Sequence, residues 1–233
     1  MALLVRTWNL YHGRTKPNSG HADVGRAVAL VAGDEPDIVG LQEVPVWALR
    51  HLEEWSGMTA VPGLARRPLG GPFARRVTAL APDVFRSALA GQANAVLVRR
   101  AHRVVGTPRA FHLNPRYPRE RRVCQIVDVE AAGRRLRVAN FHATAHDERQ
   151  ARKEVARVAE LVAGEDAAIV CGDFNVRALG LPGFSRPLPR IDQILARGLE
   201  FERGPEAWPT ERRRLGERTL SDHAPVEAVL TWP

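Results

Sequence analysis

The side chains best placed to do chemistry lie in Ile169-Val170-Cys171-Gly172-Asp173-Phe174-Asn175. The stretch opens apolar and β-branched, as a buried strand does, then stops at a glycine and presents a carboxylate and an amide. Residues two apart on an extended backbone share a face, so Asp173 and Asn175 stand side by side at the strand's carboxyl end. Taken alone, Gly-Asp-x-Asn is an ordinary Asx turn. Its meaning changes because other apolar runs end in the same way. One ends on Asn9, one on Glu43 and one on His142, while Asp222-His223 lead into the last run. The set is chemically coherent. Glu43, Asp222 and Asn9 offer hard oxygen ligands, which suit Mg²⁺ or Mn²⁺ rather than zinc. No Cys/His cluster has zinc spacing. His142, His223 and Asp173 remain for proton transfer and charge stabilisation beside a phosphate.

The elements that must carry these groups follow from the hydrophobic pattern. A strand over 2–9 ends at Asn9. A loop over 10–20 holds Tyr11, His12, Arg14 and Lys16. A helix over 21–32 runs through Val24, Ala27, Val28 and Val31 and breaks at Asp34-Glu35-Pro36. A strand over 37–43 ends on Gln42-Glu43, and Pro45 opens a helix with Val46, Leu49, Leu52 and Trp55 on one face. Residues 61–76 read as a Pro/Gly/Arg-rich loop. Strands follow over 93–98 and 103–111, then an arginine-rich loop over 113–122. A hairpin over 123–130 and 134–141 turns at Ala132-Gly133 and delivers His142. A helix over 146–163 precedes the strand to Asp173. A short Pro-rich link leads to a strand at 191–195 carrying Asp192. A strand near 199–203, a basic loop at 211–218 and a final strand at 224–230 complete the chain. There is no internal repeat and no linker. The pattern suits two mixed sheets packed face to face with helices outside, as one domain over 1–233.

Composition narrows the class. The chain has 233 residues, 45% of them hydrophobic, enough for one large core. No apolar run reaches the ~18 residues of a membrane span. The amino terminus lacks a basic leader and a long apolar stretch, so the cytoplasm is the expected compartment. Two cysteines, Cys124 and Cys171, sit in strand-like runs and read as buried apolar residues rather than a disulfide framework. The net charge of +8 invites a nucleic-acid partner. Against that, only Lys16 and Lys153 are lysine, and the arginines are spread along the chain. A GC-rich coding sequence produces the same skew.

In chain order, Thr7-Trp8-Asn9, Leu41-Gln42-Glu43, Asn94-Ala95-Val96-Leu97, Asn140-Phe141-His142, Gly172-Asp173-Phe174-Asn175, Arg190-Ile191-Asp192 and Ser221-Asp222-His223-Ala224-Pro225-Val226 resemble the motifs of the deoxyribonuclease-like endonuclease/exonuclease/phosphatase superfamily. They cover nearly the whole chain. The resemblance implies a four-layered α/β sandwich with the site at one edge of the sheets. It implies Glu43 as main metal ligand, with Asn9 and Asp222 beside it. Asp173 would position or deprotonate the attacking water. Asn175 and His142 would bind the scissile phosphate. His223 would act as general acid/base or phosphate clamp, its imidazole hydrogen-bonded by Asp192. Asn94, Arg122 and Tyr11 are candidate substrate contacts. Tyr11 stands where abasic-site nucleases carry an acidic residue, and the link 176–189 is short where they carry a long insertion; both argue against abasic-site repair. Lipid-cleaving members tend to carry export signals or membrane-contacting hairpins, and neither is read here. The expectation is a Mg²⁺- or Mn²⁺-dependent phosphodiester hydrolase acting on nucleic acid. The alternatives are a phosphatase or phosphodiesterase for a small or lipid-derived phosphate ester, and a silent binding module. No obligate protein partner is evident.

Overall fold

The computed structural model describes residues 2–20, 22–67, 91–115 and 121–233. Along these the chain runs β1 (Ala2–Asn9), β2 (Thr15–Lys16), α1 (Val24–Ala32), β3 (Ile38–Val44), α2 (Leu52–Ser56), β4 (Thr59–Arg66) and β5 (Gln92–Val98). It continues through β6 (Arg103–His112), β7 (Val123–Ala131), β8 (Arg134–His142), α3 (Glu148–Leu161), β9 (Ala168–Asp173), β10 (Asp192–Arg197) and β11 (Glu200–Ala207). Strands β12 (Arg214–Leu215), β13 (Arg218–Leu220) and β14 (Val226–Thr231) complete it.

Two mixed sheets dominate, in the orders β11-β14-β1-β3-β5-β4 and β10-β9-β8-β7-β6, with a small ribbon β12-β13-β2 at the side. Each large sheet is built around one parallel pair, β1 with β3 and β8 with β9, among antiparallel neighbours. A parallel pair needs a crossover, and helices α1 and α3 supply them. The sequence has no repeat, yet the backbone repeats this β-α-β unit. The pairing decides where the site forms. Asn9 pairs Gln42 in one sheet and His142 pairs Asp173 in the other, so four strand ends carry their polar residues to one edge.

The apolar residues fall into three clusters that define four layers. Leu3, Val5 and Ile38 meet Val127, Val138, Ile169 and Ile194 between the sheets. Val28, Val31 and Leu52 pack on the outer face of the first sheet, against Val39, Leu41 and Leu97. Val155 and Val158 pack on the outer face of the second, against Phe141, Val170 and Leu195. Strands covered on both faces read as continuous apolar runs, which is why β5 and β9 are buried throughout. This is the four-layered α/β sandwich that the family resemblance implies.

Several local expectations need correction. The first helix begins at Val24, behind Asp23, rather than at 21. No single helix follows Pro45: a 3₁₀ turn, Val46–His51, precedes the short α2, which ends at left-handed Gly57. Residues 61–66 are not loop but most of β4. Its Pro62 and Gly63 are tolerated because the strand lies at a sheet edge. Residues 68–76 of that basic loop, and Arg116 and Arg119, lie outside the described residues. The loop 211–218 is partly ordered, as a 3₁₀ turn and the two ribbon strands joined at Gly216.

One buried ion pair ties the first sheet to α1. Arg6 donates to Glu227 Oε2 at 2.7 Å and to the carbonyls of Val31 and Gly33 at the end of that helix. Trp208 Nε1 and Arg212 also reach Glu227. Burial pushes the Glu227 carboxyl up, but Arg6, then Arg212 and Trp208, outweigh it and hold it below its ordinary value. A lowered folded pKa stabilises the fold above about pH 4, the ordinary glutamate range, and that contribution is lost as pH falls through the lowered value. Glu227→Ala leaves Arg6 buried without its carboxylate and should cost about 3–5 kcal/mol in urea unfolding at pH 7. The variant should also lose less stability on acidification than the parent; equal acid slopes would contradict the assignment.

Candidate active site

Beneath the four strand ends, a buried polar clamp joins the sheets. Gln42 Nε2 donates to Thr7 Oγ1 at 2.9 Å within its own sheet and to Asn140 Oδ1 at 2.6 Å across the gap. Asn140 Nδ2 donates back to the carbonyls of Leu41 and Ala95, each at 3.0 Å. The approach is close enough to require a glycine: a Cβ on Gly40 would lie 2.6 Å from Cys171 Sγ and 3.0 Å from Asn140 Oδ1.

Above the clamp, a cleft of about 340 Å³ gathers Asn9, Tyr11, Glu43, Arg122, His142, Asp173, Asn175, Asp222 and His223. Asp192 stands behind His223. Asn94 is not brought to the cleft: its amide donates to the Val123 carbonyl, a buried tie between β5 and β7. Six further residues line the cleft: Arg66 and Arg121 from the arginine-rich stretches, and His12, Gln92, Ala145 and His146, which the sequence did not single out as site residues. The backbone around the cleft is unusual. Tyr11, His12, Glu43, Asn175 and Ser221 all adopt positive φ, between 50° and 59°. Such strain persists where surrounding structure over-determines it, and it gathers at functional sites. At Glu43 it coincides with a β-bulge, since the β3–β5 register shifts between Leu41 and Val44. A bulge re-aims a side chain, here a carboxylate at the end of a buried strand.

Asp173 is the hub. Its Oδ1 accepts from the Asn175 backbone N–H and its Oδ2 from Asn9 Nδ2, both at 3.0 Å. The Asx turn therefore forms, and the same carboxylate still faces the cleft. Burial, and then the charge of Asp192, push Asp173 up to about 7, against the pull of His223 and the two hydrogen bonds. Asn175 is fixed by its Nδ2 donating to the Ala143 carbonyl at 2.9 Å.

The two histidines beside Asp173 differ in state. Arg122 Nη1 lies 2.9 Å from His142 Nδ1. A guanidinium only donates, so Nδ1 carries the lone pair and Nε2 the proton. That Nε2 lies 3.4 Å from Asp173 Oδ2. Burial first, then the positive charges of Arg122, His223 and His12, hold His142 well below the usual imidazole value, so it is neutral. His223 Nδ1 lies 2.9 Å from Asp192 Oδ2, and its Nε2 lies 3.8 Å from Asp173 Oδ2. Burial alone would lower its pKa, but Asp192, then Asp173 and Asp222, raise it to about 9. Ser221 anchors this loop to β1: its Oγ donates to the Asn9 carbonyl and accepts the His223 N–H.

The oxygen donors fit a hard cation. Glu43 and Asp222 present partly exposed carboxylates to the cleft, one 3.4 Å from His12 Nε2 and the other 3.4 Å from Lys16 Nζ. Asn9 Oδ1 accepts the Tyr11 N–H at 3.0 Å and keeps a second lone pair. Among the described residues, Asp173, Asp192 and His223 also form a group whose donor atoms lie within 4.8 Å of one another. In the metal-free protein the His223 imidazole should titrate near pH 9 by long-range ¹H–¹⁵N NMR, and Asp192→Asn should bring it down by one unit or more. A midpoint near 6.5 in both proteins would contradict the pairing.

Comparisons with known proteins agree with this fold. The chain superimposes on an endonuclease/exonuclease/phosphatase from Beutenbergia cavernae with TM-score 0.75 and 19% identity, covering 99% of this chain and 72% of that one. A mannosyl-6-phosphatase from Bacteroides thetaiotaomicron gives TM-score 0.66 and 19% identity over 99% and 100% of the two chains. D. rerio TDP2, complexed with single-strand DNA product, gives 0.70 and 16% over 99% of each. At these identities the likeness speaks for the fold. No curated sequence matches the chain. The model of the endonuclease/exonuclease/phosphatase family matches residues 7–223, and with nearly the whole length covered, the chain belongs to that family of phosphoesterase hydrolases.

Proposed function

We propose that this chain is a Mg²⁺- or Mn²⁺-dependent phosphodiester hydrolase acting on nucleic acid, as one domain. One observation carries the reading: a buried carboxylate raised to about 7 sits between a neutral and a protonated histidine, on the floor of a cleft walled by Arg66, Arg121 and Arg122. A base near neutrality and fixed donors around it are what phosphoester hydrolysis by water requires. Arginines along the cleft suit a backbone of repeated phosphates. The same density of positive charge suits a dianionic phosphomonoester, and this is the second reading. Residence in the cytoplasm belongs to the proposal; it is supported by two buried free cysteines, Cys124 and Cys171. No helix among the described residues is long and apolar enough to cross a membrane.

In this mechanism Asn175 and Arg122 hold the phosphoryl group. Asp173 orients a water in line with the scissile bond and takes its proton as the new P–O bond forms. Nε2–H of His142 and Nε2–H of His223 donate to the oxygens on which negative charge develops, and the P–O bond to the leaving group breaks. Asp192 keeps His223 oriented and protonated. A cation held by Glu43, Asp222 and Asn9 supplies further charge neutralisation.

A panel of supercoiled plasmid, single-stranded oligonucleotide, RNA, an aryl phosphodiester and sugar and inositol phosphates tests the proposal. Polymer cleavage is expected, silenced by EDTA and restored by Mg²⁺ or Mn²⁺. Asp173→Asn should lower kcat by about 10²–10⁴-fold with the melting temperature nearly unchanged. Turnover of small monoesters alone would favour the second reading. Turnover undiminished in EDTA would overturn the metal assignment, and loss of fold in Asp173→Asn would make the hub structural.

A further inference from the structure

His12 has no part in the mechanism above, yet the chain goes to unusual lengths to place it. It lies in a 3₁₀ turn, Tyr11–Gly13, with left-handed φ at three successive residues, 50°, 54° and 80°. The turn is over-determined. Gly13 N–H donates to the Leu10 carbonyl at 2.8 Å, and the Gly13 carbonyl accepts from Asp23 N–H at 2.7 Å. A Cβ on Gly13 would lie 2.3 Å from Val24 Cγ2, so α1 presses on the turn from behind. From the other side Ser221 N–H donates to the Arg14 carbonyl at 3.0 Å.

The result is a buried imidazole that lines the cleft with Nε2 3.4 Å from Glu43 Oε2. Glu43 is itself held at φ 52° on the bulge of β3. Two strained backbones thus aim a nitrogen and a carboxylate oxygen at each other. The gap is longer than an ordinary N–H···O hydrogen bond, which runs about 2.7–3.2 Å. Neighbouring ligand atoms on a six-coordinate ion with bonds of about 2.1 Å stand about 3 Å apart, so this pair needs to close by only a few tenths of an ångström to share one.

We propose that His12 is a nitrogen ligand, with Glu43, of the cation in the cleft, and that it biases the site toward Mn²⁺ and away from Mg²⁺. The inference rests on the divalent-cation reading of the proposed function and goes beyond it. An all-oxygen set suits Mg²⁺, whereas imidazole is a borderline donor that strengthens binding along the series from Mn²⁺ upward. His12 supplies that donor from a turn that no strand pattern marks.

The test uses the full chain stripped of metal, with Mn²⁺ as the probe. Bound Mn²⁺ is read by electron spin-echo modulation, and Mn²⁺ and Mg²⁺ affinities by titration and competition. His12→Asn removes the imidazole and keeps a residue that accepts left-handed φ; a thermal melt checks its fold. The wild type should show ¹⁴N modulation and prefer Mn²⁺. His12→Asn should lose the modulation and about tenfold of the Mn²⁺ affinity, with Mg²⁺ affinity nearly unchanged. Modulation that survives in His12→Asn assigns the nitrogen to another residue and overturns the proposal. Mn²⁺ binding that Glu43→Gln weakens but that shows no ¹⁴N in the wild type also overturns it, while the divalent-cation reading stands. Failure of the wild type to bind either ion overturns that reading and the proposal with it.

Discussion

Gln42 and Asn140 hold the two sheets together directly under the candidate site. Each sheet contributes half of the site: Asn9 and Glu43 from β1 and β3, His142 and Asp173 from β8 and β9. An apolar core between sheets fixes their spacing well but their sliding poorly, because dispersion and burial have little direction. Hydrogen bonds are directional, and an unmade one costs more when buried. The clamp places two such bonds and their return partners one residue behind Glu43 and two behind His142. Gly40 makes the close approach possible.

The second constraint is electrostatic, and it distinguishes groups of the same type. His142 and His223 flank one carboxylate, yet one is neutral and the other protonated. The difference lies in the partner behind each ring, Arg122 in one case and Asp192 in the other. Asp173 and Glu43 are both strand-end carboxylates. Asp173 is sealed among hydrogen-bond donors, whereas Glu43 is turned outward by a bulge. One cleft therefore holds a carboxylate raised to about 7, a protonated imidazole and an open carboxylate, through burial and one neighbour apiece.

Much of this was legible in the sequence because the strands end where the chemistry starts. Apolar runs stopping at Asn9, Glu43, His142 and Asp173 mark both the sheets and the residues that the fold gathers at one cleft. Other features were hidden for physical reasons. Strand β4 carries Pro62 and Gly63, which read as loop residues until the strand is seen at an edge. Asn94 belongs to a motif, but its amide bonds a carbonyl within the fold. Arg66 and Gln92 reach the cleft only because they pair at the ends of β4 and β5. His12 left one trace, the glycine behind it. The β-α-β duplication is absent from the sequence because packing needs only the apolar pattern, which many residues satisfy.

A buried clamp, away from the reacting atoms, sets the geometry of the proposed catalysis. Gln42→Leu tests it most directly, since the side chain keeps its bulk and loses both donors. The measurement is kcat/KM on the best wild-type substrate, well below the melting temperature, with circular dichroism to confirm the fold. A folded protein with kcat/KM lowered by about 100-fold is expected, as a displacement near 1 Å between the two halves would cause. A folded variant with wild-type kcat/KM would show that the halves of the site are aligned by something else.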